Sequence, residues 1–156
     1  MAAPKTSSFR SILAAVDGSE PAVRAAAAAV SLARETGASL TFVSVVHVPA
    51  QVYNAGVFMA GGGAFDYSED LRQHLLAEAR KVLDRVADLA RRQKVEAETR
   101  IQEGHVPTQI LKFAEKGKFD LLVVGSRGLS GIGRLFLGSV SGAVVHEAKV
   151  SVLVVK

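Results

Sequence analysis

Residues 120–141 read D-L-L-V-V-G-S-R-G-L-S-G-I-G-R-L-F-L-G-S-V-S. After the polar Asp120, Leu121 to Val124 form a short unbroken apolar run closed by Gly125, which predicts a strand buried on both faces. Gly128, Gly131, Gly133 and Gly138 follow, and the segment closes on Ser139 and Ser141, where a helix is predicted to begin. Glycines let a backbone approach a ligand closely, and the first turn of a helix offers unpaired N–H groups and a partial positive charge to a phosphate. Strand, glycine-rich loop and helix start, in that order, lay out an anion site.

Two familiar phosphate loops are excluded. A Walker loop needs G-x-x-x-x-G-K-[ST], and the Gly117-Lys118 pair is followed by Phe119. The dinucleotide pattern G-x-G-x-x-G needs a strand before it and a helix on its last glycine, and no triplet here meets both conditions. The spacing that holds is G-x2-G-x9-G-S, through Gly125, Gly128, Gly138 and Ser139.

Outward from this stretch, apolar runs alternate with helical patterns. Arg10 to Val16 reads as a first strand and Leu40 to Val46 as a second; Val95 to Ile101 alternates strictly, as a strand with one wetter face near a sheet edge does; Val150 to Val155 closes the chain as a last strand. Between them, Ser19 is a natural N-cap for a helix reaching about Glu35 and stopped by Gly37. Ser68 is predicted to cap a second helix with a buried stripe of Leu71, Leu75, Ala79, Val82, Val86 and Leu89. Gly104 to Pro107 opens a third, and Ser139 to Ala148 is a short fourth. Strands separated by helices specify parallel βαβ units with right-handed crossovers, hence an α/β doubly wound sheet. The pattern leaves strand order open.

The 156 residues suit one domain, with residues 1–9 a flexible tail and 10–156 the folded unit; 49% hydrophobic and 22% charged residues are globular in character. Cysteine is absent, which excludes disulfides, thiolate metal sites and cysteine nucleophiles. The longest apolar run, Ala25 to Val30, is too short to cross a bilayer, and the chain reads as cytoplasmic. The net charge of +4 is scattered; Arg91, Arg92 and Lys94 form its main cluster, with no interleaved aromatic residues, so no nucleic-acid or membrane partner is expected. His47 to Asp66 is a long loop carrying Val52, Tyr53, Val57, Phe58 and Met59 among its glycines, an interaction segment or a disordered connector.

Taken together, V-V-G-S-R-G around Gly125, G-R-L-F-L-G-S-V-S around Gly138, V-D-G-S-E at 16–20 and the closing S-V-L-V-V resemble the universal stress protein family, in its ATP-binding branch. The resemblance covers nearly the whole chain. It implies a single doubly wound domain with a five-stranded parallel sheet in order 3-2-1-4-5, a Rossmann-like adenine nucleotide-binding fold, with ATP at the carboxyl ends of strands 1 and 4. It also implies a homodimer paired through the C-terminal strand, acting with an unidentified protein partner.

Position alone leaves Asp17 two readings, a cap shared with Ser19 or a ligand contact at the end of the first strand; the resemblance implies nucleotide contact. It likewise implies that Ala15, where many members have proline, meets the base through its backbone, and that Val45, preceded by Ser44 in place of a frequent histidine, contacts adenine. Val124, Gly125 and Gly128 border the expected site. The phosphates are expected over Gly128 to Ser139, held by main-chain N–H groups around Gly138 and Val140 and by the Ser139 and Ser141 hydroxyls, with Arg127 and Arg134 neutralising charge or simply solvated. Mg²⁺ would ride on the ATP phosphates.

The four histidines, His47, His74, His105 and His146, fall in different elements without ligand spacing. No paired acids, activated nucleophile or G-x-S-x-G elbow is present. The functional expectation is therefore an ATP-binding regulatory module, with a slow ATP hydrolase and a nucleotide-free dimeric scaffold as alternatives.

Overall fold

The computed structural model describes residues 9–50, 67–127 and 137–156; the tail before Phe9 and the loop segment 51–66 lie outside them. The described chain runs β1 (Ser11–Ala15), α1 (Glu20–Thr36), β2 (Ser39–Val46), α2 (Tyr67–Arg92), β3 (Ala97–Glu103), α3 (Val106–Lys116), β4 (Leu121–Gly125), α4 (Ser139–Glu147) and β5 (Ser151–Val155). Every strand pairing is parallel and the order is β3-β2-β1-β4-β5, the order that the family resemblance implies.

Alternation along the central strands splits the core into two layers. Ile12, Ala14, Phe42, Leu121 and Val123 face α1 and α2, packing with Ala25, Ala29, Leu83 and Val86. Leu13, Val43, Leu122 and Val124 face the other way, onto Ile110 and Ala114 of α3 and Val144 of α4. Buried on both sides, the inner strands are nearly all apolar, with Thr41 and Ser44 of β2 as buried polar exceptions, which is why they read as almost continuous runs. Phe9, just ahead of the expected domain start, packs half-buried against the first layer.

Local chemistry sets the ends of α1. The Ser19 side chain accepts the Ala22 N–H at 3.3 Å, and Gly37 takes the left-handed conformation (φ 71°) while its N–H reaches the Ala33 carbonyl at 2.9 Å. The helix buries Ala22, Ala25, Ala26, Ala29 and Ala33, small side chains that let it lie close to the sheet. Asp120 ties β4 to β1 at the opposite end of the sheet: its carboxylate accepts the Arg10 N–H at 2.9 Å and the Ser11 N–H at 3.1 Å.

Two readings of α2 are corrected. The helix already includes Tyr67, so Ser68 lies within its first turn and is not its cap. The buried line is Leu76, Ala79, Leu83, Val86 and Ala90, flanked by half-buried Leu75, Val82 and Leu89. Adjacent leucines at 75 and 76 satisfy the helical period equally well, and only the position of the sheet chooses between them. Among the described residues no helix is long and apolar enough to cross a membrane.

Candidate functional site

Parallel strands carry all their carboxyl ends to one side, and ligands of such sheets sit there where neighbouring crossovers diverge. In this order that point lies between β1 and β4. After β4 the chain is turned by two backbone bonds: the Ser126 N–H donates to the Val155 carbonyl at 2.7 Å, and the Gly138 N–H donates to the Ser126 carbonyl at 2.8 Å. They bring the start of α4 back over the strand end. Gly138 is the N-cap (φ −60°, ψ 162°), and among the described residues no side chain caps the helix. The N–H groups of Ser139, Val140 and Ser141 thus start the helix without intrahelical acceptors.

A cleft of about 330 Å³ opens at this place. Ala15, Val16 and Asp17 border it from β1; Val124, Gly125 and Arg127 from β4 and the turn beyond; Ser139, Val140 and Ser141 from α4. Val43 and Val45 of β2, Ala22 of α1, and Val106 and Ile110 of α3 complete the wall. Of the residues singled out in the sequence, Ala15, Asp17, Val45, Val124, Gly125, Arg127, Ser139, Val140 and Ser141 meet in this cleft. Gly138 sits one residue back, shaping the turn. Gly128 and Arg134 lie outside the described residues.

Asp17 Oδ1 accepts the Ser19 N–H at 2.9 Å, which is the local role that position offered it, and its exposed side chain borders the cleft. Two other expectations change. The buried Ser141 hydroxyl donates to the Gly125 carbonyl at 2.7 Å, so its donor is used inside the protein and it positions the helix start instead of offering a hydroxyl to a phosphate. A side chain at Gly125 would meet Pro21 C, Pro21 O and Ala22 N at 2.8–2.9 Å; its missing Cβ serves the approach of α1 to β4.

Sequence reading missed Val16, Ala22, Val43, Val106 and Ile110. For Val106 a signal existed, since each crossover helix begins at the carboxyl side of the sheet and its first residues belong near the ligand position. The others are apolar residues of inner elements, indistinguishable in sequence from core.

At the β3 edge of the sheet, Arg72 of α2 grips Glu103 at the end of β3 through Nε–Oε2 (2.7 Å) and Nη2–Oε1 (2.8 Å), with Glu69 at 3.1 Å on Nη1. The hydrogen bonds from Arg72, helped by its charge, hold the Glu103 carboxyl below its ordinary range. His74 and His146 are exposed on α2 and α4. His47 and His105, distant in sequence, come together with ring centroids 6.4 Å apart. Among the described residues no group of three or more His, Cys, Asp or Glu converges as a metal centre.

Comparison with known proteins places this architecture. The model of the universal stress protein family matches residues 8–156. Universal stress protein YxiE of Bacillus subtilis is 33% identical over 150 residues, covering 95% of this chain and 99% of its own. The structure of universal stress protein UspA from Lactobacillus plantarum superposes with a TM-score of 0.79 at 23% identity, over 95% of this chain and 98% of that one. A universal stress protein solved in complex with cAMP gives a TM-score of 0.65 at 28% identity, over 95% of this chain and 97% of that one. With its sheet order, its strand-end cleft and a match over almost its whole length, the chain belongs to the universal stress protein family.

Proposed function

We propose that the cleft binds an adenine nucleotide, ATP foremost, and that the protein acts as a nucleotide-dependent regulatory module of the stress response in the cytoplasm. One observation carries the reading: the start of α4, which no side chain of the described residues caps, shares a cleft with an apolar slot and a carboxylate at the carboxyl ends of β1 and β4. Val45, Val106, Ile110 and Val124 suit a planar base, with Ala15 meeting it through its backbone. Asp17 suits the ribose hydroxyls or a Mg²⁺ ion carried by the phosphates. The first-turn N–H groups of α4 suit a phosphate, with Arg127 beside the cleft for the polyphosphate charge; Gly128 and Arg134, expected in the same role, lie outside the described residues. A volume near 330 Å³ is at the lower end of the roughly 300–1,000 Å³ of small-molecule sites. A family member solved with cAMP supports an adenine ligand for this cleft.

We also infer a homodimer through β5. Its Val152, Leu153, Val154 and Val155 are only half-buried at the sheet edge.

The test is direct. Denaturing the purified protein and identifying any released nucleotide by mass, followed by calorimetric titration of the emptied protein with ATP, AMP and cAMP, should give micromolar binding. Absence of nucleotide and of binding to all three would leave the interaction scaffold.

A further inference from the structure

The β2–β3 ladder brings His47 and His105 side by side. Val46 pairs with Glu103, and the Gly104 N–H donates to the Val46 carbonyl at 2.9 Å, so the residues following each strand leave the sheet as neighbours. His47 Nδ1 lies 3.2 Å from the Gly104 carbonyl oxygen. A carbonyl only accepts, so the neutral His47 ring carries its proton on Nδ1 and its lone pair on Nε2. His105, the N-cap residue of α3, has its Nδ1 2.8 Å from Thr108 Oγ1. The rings stand edge to face, and both are exposed.

We propose that His47 and His105 bind one late first-row divalent cation of the class Zn²⁺, Ni²⁺ or Cu²⁺ beside the cleft. His47, with Nδ1–H on a carbonyl and Nε2 free, is in the state in which proteins hold these metals, and His105 reaches the same state in the tautomer whose Nδ1–H donates to Thr108 Oγ1, which the metal selects. Imidazole nitrogen selects them over Mg²⁺ and Ca²⁺, which take oxygen. With metal–nitrogen bonds of about 2.0–2.1 Å, two rings sharing an ion have centroids roughly 5–6 Å apart. The observed 6.4 Å is within a small rotation of exposed side chains. Glu103, the nearest carboxylate along the chain, is committed to Arg72, so water completes the coordination. Such an open two-nitrogen site is exchangeable. His105 directly precedes Val106, which lines the cleft, but the metal site does not depend on what the cleft binds.

The experiment uses the full chain without a histidine tag. Calorimetry with ZnCl₂ should show one ion per chain and MgCl₂ none, and long-range ¹H–¹⁵N spectra should show Zn²⁺ moving two of the four histidine rings. His47→Gln and His105→Gln should each weaken Zn²⁺ binding at least tenfold, while the His74→Gln, His146→Gln double variant binds as the parent does. No Zn²⁺ binding by the parent overturns the proposal, as does undiminished binding in either His47→Gln or His105→Gln. Should one of those variants fail to fold, the spectrum of the unaltered protein decides: a single ring moved, or His74 or His146 among those moved, overturns it.

Discussion

The Ser141 hydroxyl donates to the Gly125 carbonyl at 2.7 Å, joining the first turn of α4 to the last residue of β4. Together with the Gly138 N–H on the Ser126 carbonyl, this bond fixes where the uncapped helix end points. Ser139 stands in the same turn but is exposed, whereas Ser141 is 3% exposed. Two serines that look equivalent in sequence therefore sit differently, one exposed at the cleft and one holding the helix.

Ser141→Ala should accordingly cost about 1–3 kcal/mol of stability, because a buried hydrogen-bond donor is lost to its carbonyl, and nucleotide affinity should fall with it. Ser139→Ala should leave stability within about 0.5 kcal/mol of the parent and lower affinity alone. Urea unfolding alongside calorimetric titration separates the two; equal stability losses would contradict the division.

Glycines in this chain should also respond in opposite directions. An alanine at Gly125 drives a methyl group to within 2.8–2.9 Å of the Pro21 and Ala22 backbone, where no side chain can yield. A loss of about 1–3 kcal/mol is expected from this overpacking. Gly142, inside α4, has nothing within 4 Å of a built Cβ, so Gly142→Ala should gain roughly 0.5–1 kcal/mol from helix propensity. Thermal unfolding should move down for the first and up for the second.

Gly138 tests the phosphate position. Its φ of −60° and ψ of 162° are open to any residue, so Gly138→Val should fold. A branched side chain at the N-cap obstructs an anion that would otherwise approach several N–H groups together, and ATP binding should weaken by ~2 kcal/mol, roughly thirtyfold. A folded variant that binds ATP like the parent would remove the α4 turn from the phosphate site.

The contrast between Ser19 and His105 shows what was legible in sequence. Ser19 caps α1 through the Ala22 N–H three residues on, and Gly37 stops the same helix by its own left-handed backbone; both signals are local, so composition and spacing suffice. The inner strands were legible because burial on both faces leaves an apolar run. The meeting of His105 with His47 depends on β2 pairing with β3, a non-local fact that residue pattern left open and that strand order, implied by family resemblance, could have supplied. Ser141 is intermediate: its place at the strand-end cleft was legible, but its partner Gly125 needed the folded turn.

Acid should weaken the contact between α2 and β3. Arg72 holds the native Glu103 carboxyl below its ordinary range, so the native state binds fewer protons than the unfolded one as pH falls through that region. The pair's contribution is fully present above the ordinary glutamate value of about 4.3 and is lost as pH drops through the lowered native value. Because the partners are partly exposed, the effect is small and screened by salt. Glu103→Gln should be less stable than the parent at pH 7, and the two should converge at acid pH. A difference that stays constant with pH would show that the ion pair is not its source.

The two sheet edges differ in a way that predicts which one pairs. β3 presents Glu98, Arg100 and Gln102 at its edge, with Glu98 and Arg100 bonded to each other at 2.7 Å, and charges of this kind discourage strand addition. β5 presents half-buried valines and a leucine, which invite it. The Val155 carbonyl accepts the Ser126 N–H from the β4 side, so by strand alternation the N–H of Val154 points to the open edge. Antiparallel pairing of β5 with its copy about a two-fold axis would use that donor and cover the half-exposed side chains. Val154→Pro removes the outward donor while leaving the β4 ladder its own bonds. Sedimentation at micromolar concentration should find the parent dimeric and the folded Val154→Pro protein monomeric. A monomeric parent would refute the dimer, and a variant that remains dimeric would move the interface off this strand.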